Sequence, residues 1–158
     1  MTTPHERLRE LGITLPSPPA PAASYVQTQL VPISESRALL YVAGQISREG
    51  DGVLTGRCPD EVPIEEATAR ARQCALSVLA QIESAVGLDR VEQVTQVIGL
   101  VLSAEGFGDQ PKVMNGASDL LVEVLGSAGK HTRAALGANA LPFSATVEIT
   151  AVAVVRTG

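Results

Sequence analysis

The 158-residue chain is long enough for one domain, and its 45% hydrophobic and 18% charged residues exclude a chain that is disordered throughout. Twelve Lys and Arg residues against 17 Asp and Glu residues give a formal net charge of -5, which argues against a protein that binds duplex nucleic acid. With two Tyr, two Phe and no Trp, the core must be filled by aliphatic side chains, so oligomerisation would be a natural source of further buried area.

The first 23 residues predict a short helix followed by a linker. Thr3 is a suitable N-cap, and Pro4 suits the first turn of a helix. Residues 15–23 contain four prolines, which remove amide donors and favour an extended conformation. We therefore expect residues 1–23 to form an N-terminal helix and a proline-rich linker, and residues 24–158 to form the domain.

Two strands and a long helix are predicted next. Residues 25–31 and 38–43 have strand composition, and residues 48–52 have the composition of a loop. A helix follows Pro63, because apolar residues recur at steps of three and four over residues 64–86. The densest basic stretch of the chain lies on this helix among glutamates, which indicates a solvated charged face.

The second half of the chain predicts a strand at residues 91–102, a helix capped by Asp109, and two strands at residues 132–138 and 144–155. In the last strand, apolar and polar residues alternate, so one face is expected to be buried. The order strand, strand, helix, strand, helix, strand, strand predicts an α+β sandwich, with two main helices on one face of a mixed sheet.

The sequence lacks the common motifs of metal, phosphate and nucleophile chemistry. Cys58 and Cys74 have no metal-ligand spacing, and His131 has no second His at a useful distance along the chain. Neither a Gly-x-Ser-x-Gly elbow nor a phosphate-binding glycine loop is present. Neither an apolar run of 18 residues nor a signal-peptide segment occurs. We expect a reduced, cytoplasmic protein with no metal, no cofactor and no membrane association.

Two charged residues stand in otherwise apolar strands. Arg133 precedes an Ala-Ala-Leu-Gly-Ala run, and Glu148 lies in the middle of the final strand. An arginine in such a place can bind a carboxylate through two hydrogen bonds, and a carboxylate can orient or deprotonate a water molecule. The alternative is a purely structural ion pair between Arg133 and Glu148 across the sheet.

The C-terminal part of the chain resembles a known family signature. Residues 132–142 (TRAALGANALP) and 145–149 (ATVEI) resemble the C-terminal signature of the Rid (reactive intermediate deaminase) family, also called YjgF-like or L-PSP endoribonuclease. Three further segments agree with this family, at residues 25–27 (YVQ), 41–45 (YVAGQ) and 113–115 (VMN). The extra N-terminal segment and residues 116–121 (GASDLL) are similar to those of a longer subgroup.

The resemblance implies a chorismate-mutase-like fold and a homotrimer with clefts between its subunits. It also implies hydrolytic deamination of small reactive 2-imino or enamine acids to 2-oxo acids and ammonia, without a cofactor. By matched position, Arg133 would bind the carboxylate of this small substrate, and Glu148 would hold the attacking water. The other matched positions, which would line the cleft, are Tyr25, Gly44, Asn115 and Ala135.

Two departures from the family pattern keep other functions open. Ala43 stands where deaminase members often have Ser, and Ala135 stands where they often have Cys, although the backbone amide of Ala135 can still donate a hydrogen bond. The lost hydroxyl favours a second hypothesis, a non-catalytic binder of small carboxylates. A ribonuclease is the third hypothesis, and the acidic charge and the scarcity of aromatic stacking groups count against it.

Overall fold

The computed structural model describes all residues, 1–158, and contains one main five-stranded sheet. In chain order, the helices and strands are α1 (Pro4–Glu10), β1 (Thr28–Pro32), β2 (Arg37–Ile46), β3 (Arg48–Glu49), β4 (Gly52–Val53), α2 (Ile64–Ala85), β5 (Val91–Leu102), α3 (Gln110–Leu125), β6 (Thr132–Ala138) and β7 (Val147–Arg156). The main sheet has the order β1-β2-β7-β5-β6, in which only β5 and β6 are parallel. The predicted α+β class is confirmed.

The core lies between this sheet and the two long helices, α2 and α3. On β7, Val147 and Ile149 are buried, whereas Glu148 between them is only partly buried and lies on the other face. Thirty buried hydrophobic residues form one cluster that contains no Phe and no Tyr. The predicted aliphatic core is therefore confirmed, and the sheet face away from the helices is left without a covering layer.

The helices begin where the sequence predicts, but only one of the two predicted N-caps forms. At α1, Thr3 and Glu6 form a capping box, in which each side chain bonds the backbone N–H of the other residue. At α3, Asp109 occupies the N-cap position, but its side chain makes no cap hydrogen bond. Its carboxylate instead lies 3.2 Å from Lys112 Nζ. The capping role predicted for Asp109 is wrong, although the predicted start of the helix is correct.

The predicted strands differ from the structure by three residues at three ends, one of which is the end of β2 at Ile46 instead of residue 43. β1 begins at Thr28 instead of residue 25, so the segment before it is free to line a pocket. The predicted loop at residues 48–52 contains the short hairpin of β3 and β4. β7 begins at Val147, because Pro142–Ser144 forms a 3-10 turn before it.

The basic stretch on α2 is not wholly solvated. The side chain of Arg70 is only 13% exposed, and it donates hydrogen bonds of 2.6 Å to Thr55 O and 2.7 Å to Thr146 Oγ1. Arg70 also pairs with Glu66 at 2.5 Å. The expectation of a solvated face is wrong at this position, because carbonyl and hydroxyl oxygens replace the water around the guanidinium.

The N-terminal segment is packed along the helical layer. Leu8 of α1 is buried within the same hydrophobic cluster as the sheet, and His5 Nε2 lies 3.1 Å from a carboxylate oxygen of Glu83 on α2. Further along, Gln81 of α2 donates a hydrogen bond of 2.8 Å to Pro19 O in the linker. The linker is therefore tied to α2 shortly before it reaches β1.

No helix is both long enough and apolar enough to span a lipid bilayer.

Candidate functional site

The predicted site residues form two groups within one subunit. Tyr25, Gly44 and Glu148 line one pocket, here called the Glu148 pocket. Asn115 and Arg133 are hydrogen-bonded to each other at the β6 edge of the sheet, here called the Arg133 cluster. Ala135 lies two residues after Arg133 on β6, so its side chain points to the same face as that of Arg133.

The Glu148 pocket has a volume of about 350 Å³. It is lined by Pro19, Ala20, Ala22, Ala23, Tyr25, Gln27, Ala43, Gly44, Gln45, Ile46, Arg48, Pro142, Phe143 and Glu148. Glu148 is the only acidic residue in this lining, and it makes no side-chain hydrogen bond to the protein. Burial raises the pKa of the Glu148 carboxyl above its ordinary value. Both carboxylate oxygens are therefore free to bind a water molecule or a ligand.

A break in strand register brings the backbone of β2 against Glu148. The β2–β7 pairing shifts between Val42 and Gln45, and Gly44 lies within this irregular stretch. A Cβ atom on Gly44 would overlap with Oε1 of Glu148, so glycine is required for this close approach. The side chain of Gln45 is buried and donates to Gln27 Oε1 at 2.8 Å, which fixes the floor of the pocket.

Tyr25 connects the pocket to the linker. The backbone N–H of Ala22 donates a hydrogen bond of 3.3 Å to the Tyr25 hydroxyl oxygen. The hydroxyl hydrogen of Tyr25 therefore remains available to a ligand. Ala43 also lines the pocket and supplies no hydroxyl group. Tyr25 is thus the residue whose hydroxyl can donate from this wall.

In the Arg133 cluster, the guanidinium is held by three protein oxygens. Nη1 donates to Asn115 Oδ1 at 3.0 Å and to Ser118 Oγ at 3.1 Å, while Nη2 donates to Pro111 O at 3.2 Å. A guanidinium has five N–H donors, so Nε–H and one Nη2–H stay free. These two donors can bind both oxygens of one carboxylate.

Ser118 and His131 extend this cluster and were not predicted as site residues. His131 Nδ1 lies 2.6 Å from Gly129 O, which can only accept, so Nδ1 carries the hydrogen. Nε2 therefore accepts from the Ser118 hydroxyl at 2.9 Å, and Ser118 Oγ accepts from Arg133. This chain fixes the Arg133 side chain. The one sequence feature that could have indicated Ser118 is its spacing from Asn115, because the two residues are three apart on one helix face.

Arg133 and Glu148 do not pair within the subunit. Arg133 pairs in register with Val97 of β5 on the helix-covered face, whereas Glu148 pairs with Leu100 on the open face. The strands that carry them are separated by β5 and lie about 10 Å apart, and the two residues pair with β5 positions that are three residues apart. The structural ion pair that was the alternative interpretation is therefore absent. No group of three or more His, Cys, Asp or Glu side chains is arranged to hold a metal ion.

Comparison with known proteins establishes the family. A family model described as "YjgF/chorismate mutase-like, putative endoribonuclease" matches residues 5–154. The chain belongs to this YjgF-like family. Among curated proteins, the chain is 41% identical over 147 residues to Protein TCP17 of Trypanosoma cruzi, which covers 91% of this chain and 89% of that protein.

Solved structures extend the similarity of this YjgF-like chain to its whole fold. The protein Atu1372 of Agrobacterium tumefaciens, of unknown function, is 40% identical, with a TM-score of 0.84 and coverage of 97% of this chain and 94% of that one. A Shewanella oneidensis protein described as a "putative endoribonuclease" is 28% identical, with a TM-score of 0.88 and coverage of 96% and 98%. The family and the fold predicted from the sequence are thus confirmed.

Proposed function

We propose that this YjgF-like protein hydrolyses small 2-imino or enamine acids to 2-oxo acids and ammonia. The observation that carries the proposal is the Glu148 carboxylate, which is half-buried, lacks a hydrogen-bond partner and faces a pocket of about 350 Å³. A second support is Arg133, whose guanidinium is held in place while two of its N–H groups stay free. Together these groups can bind a carboxylate and a water molecule.

The reaction needs one water and no redox step. Arg133 holds the substrate carboxylate, and Glu148 accepts a proton from water as its oxygen bonds to the imine carbon. The resulting carbinolamine receives that proton on its nitrogen. The hydroxyl proton of the carbinolamine then moves to the nitrogen by way of Glu148, the C–N bond breaks as the C=O bond forms, and ammonia leaves with the 2-oxo acid. An activated imine is readily attacked, so positioning of the carboxylate and the water supplies the main rate effect.

A complete site requires a second copy of the chain. Arg133 lies on the edge strand β6, and the Glu148 pocket opens near the other edge, where Tyr25 and Gln27 precede β1. A cyclic trimer in which the β6 edge of one subunit meets the β1 side of the next would unite the two groups. We propose that the substrate binds in three such clefts.

The proposal is tested by following 2-oxobutanoate formation from 2-iminobutanoate, which an amino acid oxidase generates in the assay while semicarbazide competes for the imine. The wild-type protein is expected to accelerate 2-oxobutanoate formation, and Arg133→Ala is expected to abolish this acceleration. Arg72→Ala is the matched control, because Arg72 lies on α2 and pairs with Glu123 at the surface. A trimeric wild-type protein that gives no acceleration over buffer overturns the deaminase proposal.

A non-catalytic carboxylate binder is the second candidate, and Ala43 is the observation that favours it. With Ala43 in its wall, the pocket lacks a hydroxyl that deaminase relatives often supply. A thermal-shift measurement with 2-oxobutanoate, made beside the activity assay, separates the two functions. Stabilisation without turnover would assign binding alone.

The names of several relatives raise ribonuclease activity as a third candidate. The net charge of -5 and the four aromatic residues of the chain count against an RNA-binding surface. RNA cleavage that persists in Arg133→Ala after extensive purification would support this third function.

A further inference from the structure

One basic side chain lines the Glu148 pocket and has no role in the reaction proposed above. Arg48 is the only Lys or Arg in the pocket lining, just as Glu148 is its only acid. The side chain of Arg48 makes no hydrogen bond and no ion pair within the subunit, and it is partly buried. A partly buried cation without a partner leaves five N–H donors for a ligand.

The end of β2 brings the chain past Glu148 and then to Arg48. Ile46 of β2 pairs directly with Glu148, so their side chains share a face. Arg48 follows Ile46 by two residues, at the start of β3 in the small hairpin sheet, and its side chain lines the same pocket as Glu148. Ser47 between them donates a hydrogen bond of 2.8 Å to Leu54 O, which anchors the start of the β3–β4 hairpin.

The acidic side chains of this hairpin form no ion pair with Arg48. Glu49 and Asp51 line a neighbouring groove together with Arg48, but neither forms an ion pair with it. The groove and the Glu148 pocket share Pro19, Ala20 and Arg48, so the guanidinium lies at their boundary. An anionic group of a ligand that extends from the Glu148 pocket would find Arg48 at this boundary.

We propose that Arg48 binds a second carboxylate, so that the preferred substrates are 2-imino dicarboxylic acids with four or five carbons. The inference rests on the proposed function and deepens it: Arg133 of a neighbouring subunit holds the carboxylate next to the imine, and Arg48 holds the one at the far end. A pocket of about 350 Å³ is at the lower end of small-molecule sites and accommodates such a ligand. Two arginines at separate places match two carboxylates on one short chain.

The test compares kcat/KM for 2-iminosuccinate and 2-iminoglutarate with that for 2-iminobutanoate, each generated by an oxidase in the assay. The wild-type protein is expected to favour the dicarboxylates at least about tenfold, the size of one charge-assisted hydrogen bond. Arg48→Gln is expected to lower the ratio of dicarboxylate to monocarboxylate kcat/KM about tenfold, mainly through KM, and Arg48→Lys is expected to retain part of it. Arg72→Gln, which removes a surface arginine of α2 that pairs with Glu123, is the control and should leave the ratio unchanged.

Binding measurements keep this inference separate from the deaminase proposal. 2-Oxoglutarate is expected to raise the Tm of the wild-type protein more than 2-oxobutanoate does, and Arg48→Gln is expected to remove that difference. A wild-type enzyme without dicarboxylate preference, or an Arg48→Gln variant that loses both substrate classes equally, overturns the role of Arg48 but leaves deamination standing. If no imine is hydrolysed, an Arg48-dependent Tm shift still supports the second carboxylate site, and its absence overturns it.

Discussion

Glu148 is a half-buried carboxylate that the protein leaves without a hydrogen-bond partner. Desolvation disfavours its charged form, and neither a cation nor an N–H donor compensates. The residue therefore costs folding stability when it is ionised. Such a cost is typical of functional sites, because the same unsatisfied oxygens are the ones that can bind water.

Glu148→Gln is expected to be at least as stable as the wild type near neutral pH. The folded-state pKa of Glu148 lies above its ordinary value of 4.5, so the folded state holds more protons than the unfolded state between these two pKa values. The stability that protonation of Glu148 contributes to the wild type is present below pH 4.5. It is lost as the pH rises through the folded-state pKa. The glutamine variant lacks this loss, so its advantage in Tm should grow as the pH rises from 4.5 through the folded-state pKa of Glu148.

The control for this measurement is Glu10→Gln, which removes one exposed carboxylate at the end of α1. Its Tm should follow the wild type closely over the same pH range. A Glu148→Gln variant that is less stable than the wild type at pH 7 would contradict a dominant burial cost. In the activity assay, wild-type kcat/KM is expected to rise with pH through the raised pKa of Glu148, because only the ionised carboxyl can accept a proton from water.

At the scale of elements, the periodic segments were predicted well and the irregular ones were not. The apolar repeat after Pro63 and the apolar run at Val91–Leu102 predicted α2 and β5, because each pattern is fixed by local geometry. The register break beside Gly44 has no local signal, since it depends on how β2 pairs with β7. The Ser118–His131 contact joins α3 to the start of β6 and likewise depends on tertiary packing.

The packing of α2 against α3 offers a prediction at the same scale. Gly116 of α3 lies against the backbone of Thr68 in α2, and a Cβ atom there would overlap with Thr68 O. Alanine stabilises an isolated helix by about 1 kcal/mol relative to glycine. Because the overlapping atom belongs to backbone that cannot rotate away, we expect Gly116→Ala to destabilise the fold by about 1–3 kcal/mol instead.

Urea unfolding at a fixed protein concentration measures this change in the free energy of unfolding. Asp119→Ala, at an exposed position of the same helix, is the control and should change the free energy by less than about 0.5 kcal/mol. A stabilised Gly116→Ala variant would indicate that the two helices can separate slightly without loss of packing.

At the scale of the whole molecule, one face of the sheet has no covering layer. Its half-buried or exposed apolar residues are Leu39, Tyr41, Ile98, Leu100, Leu136, Val152 and Val154. A contiguous apolar face of this kind is typical of a protein–protein interface. Tyr41, one of the four aromatic residues of the chain, lies on this open face and outside the core. We therefore expect an oligomer that buries the face, and the family resemblance implies that it is a trimer.

The oligomeric state can be measured by sedimentation. The wild-type protein is expected to show three times the subunit mass of 16.4 kDa, whereas Tyr41→Lys is expected to dissociate, because it places a charge on the open face. Leu11→Lys, at an exposed apolar residue at the end of α1, is the control and should remain trimeric. A monomeric wild type at micromolar concentration would contradict the proposed assembly.

If each cleft combines residues of two subunits, mixing two inactive variants tests the trimer more stringently than a measurement of its mass. Arg133→Ala and Glu148→Gln should each be inactive alone, but mixed trimers should contain clefts in which the Glu148→Gln subunit supplies Arg133 and the Arg133→Ala subunit supplies Glu148. Random exchange at equal amounts leaves about a quarter of the clefts intact, so denaturing and refolding the two variants together should restore about a quarter of wild-type activity. Variants refolded separately and then mixed are the control. Failure to regain activity in co-refolded trimers would mean that Arg133 and Glu148 do not meet across a subunit boundary.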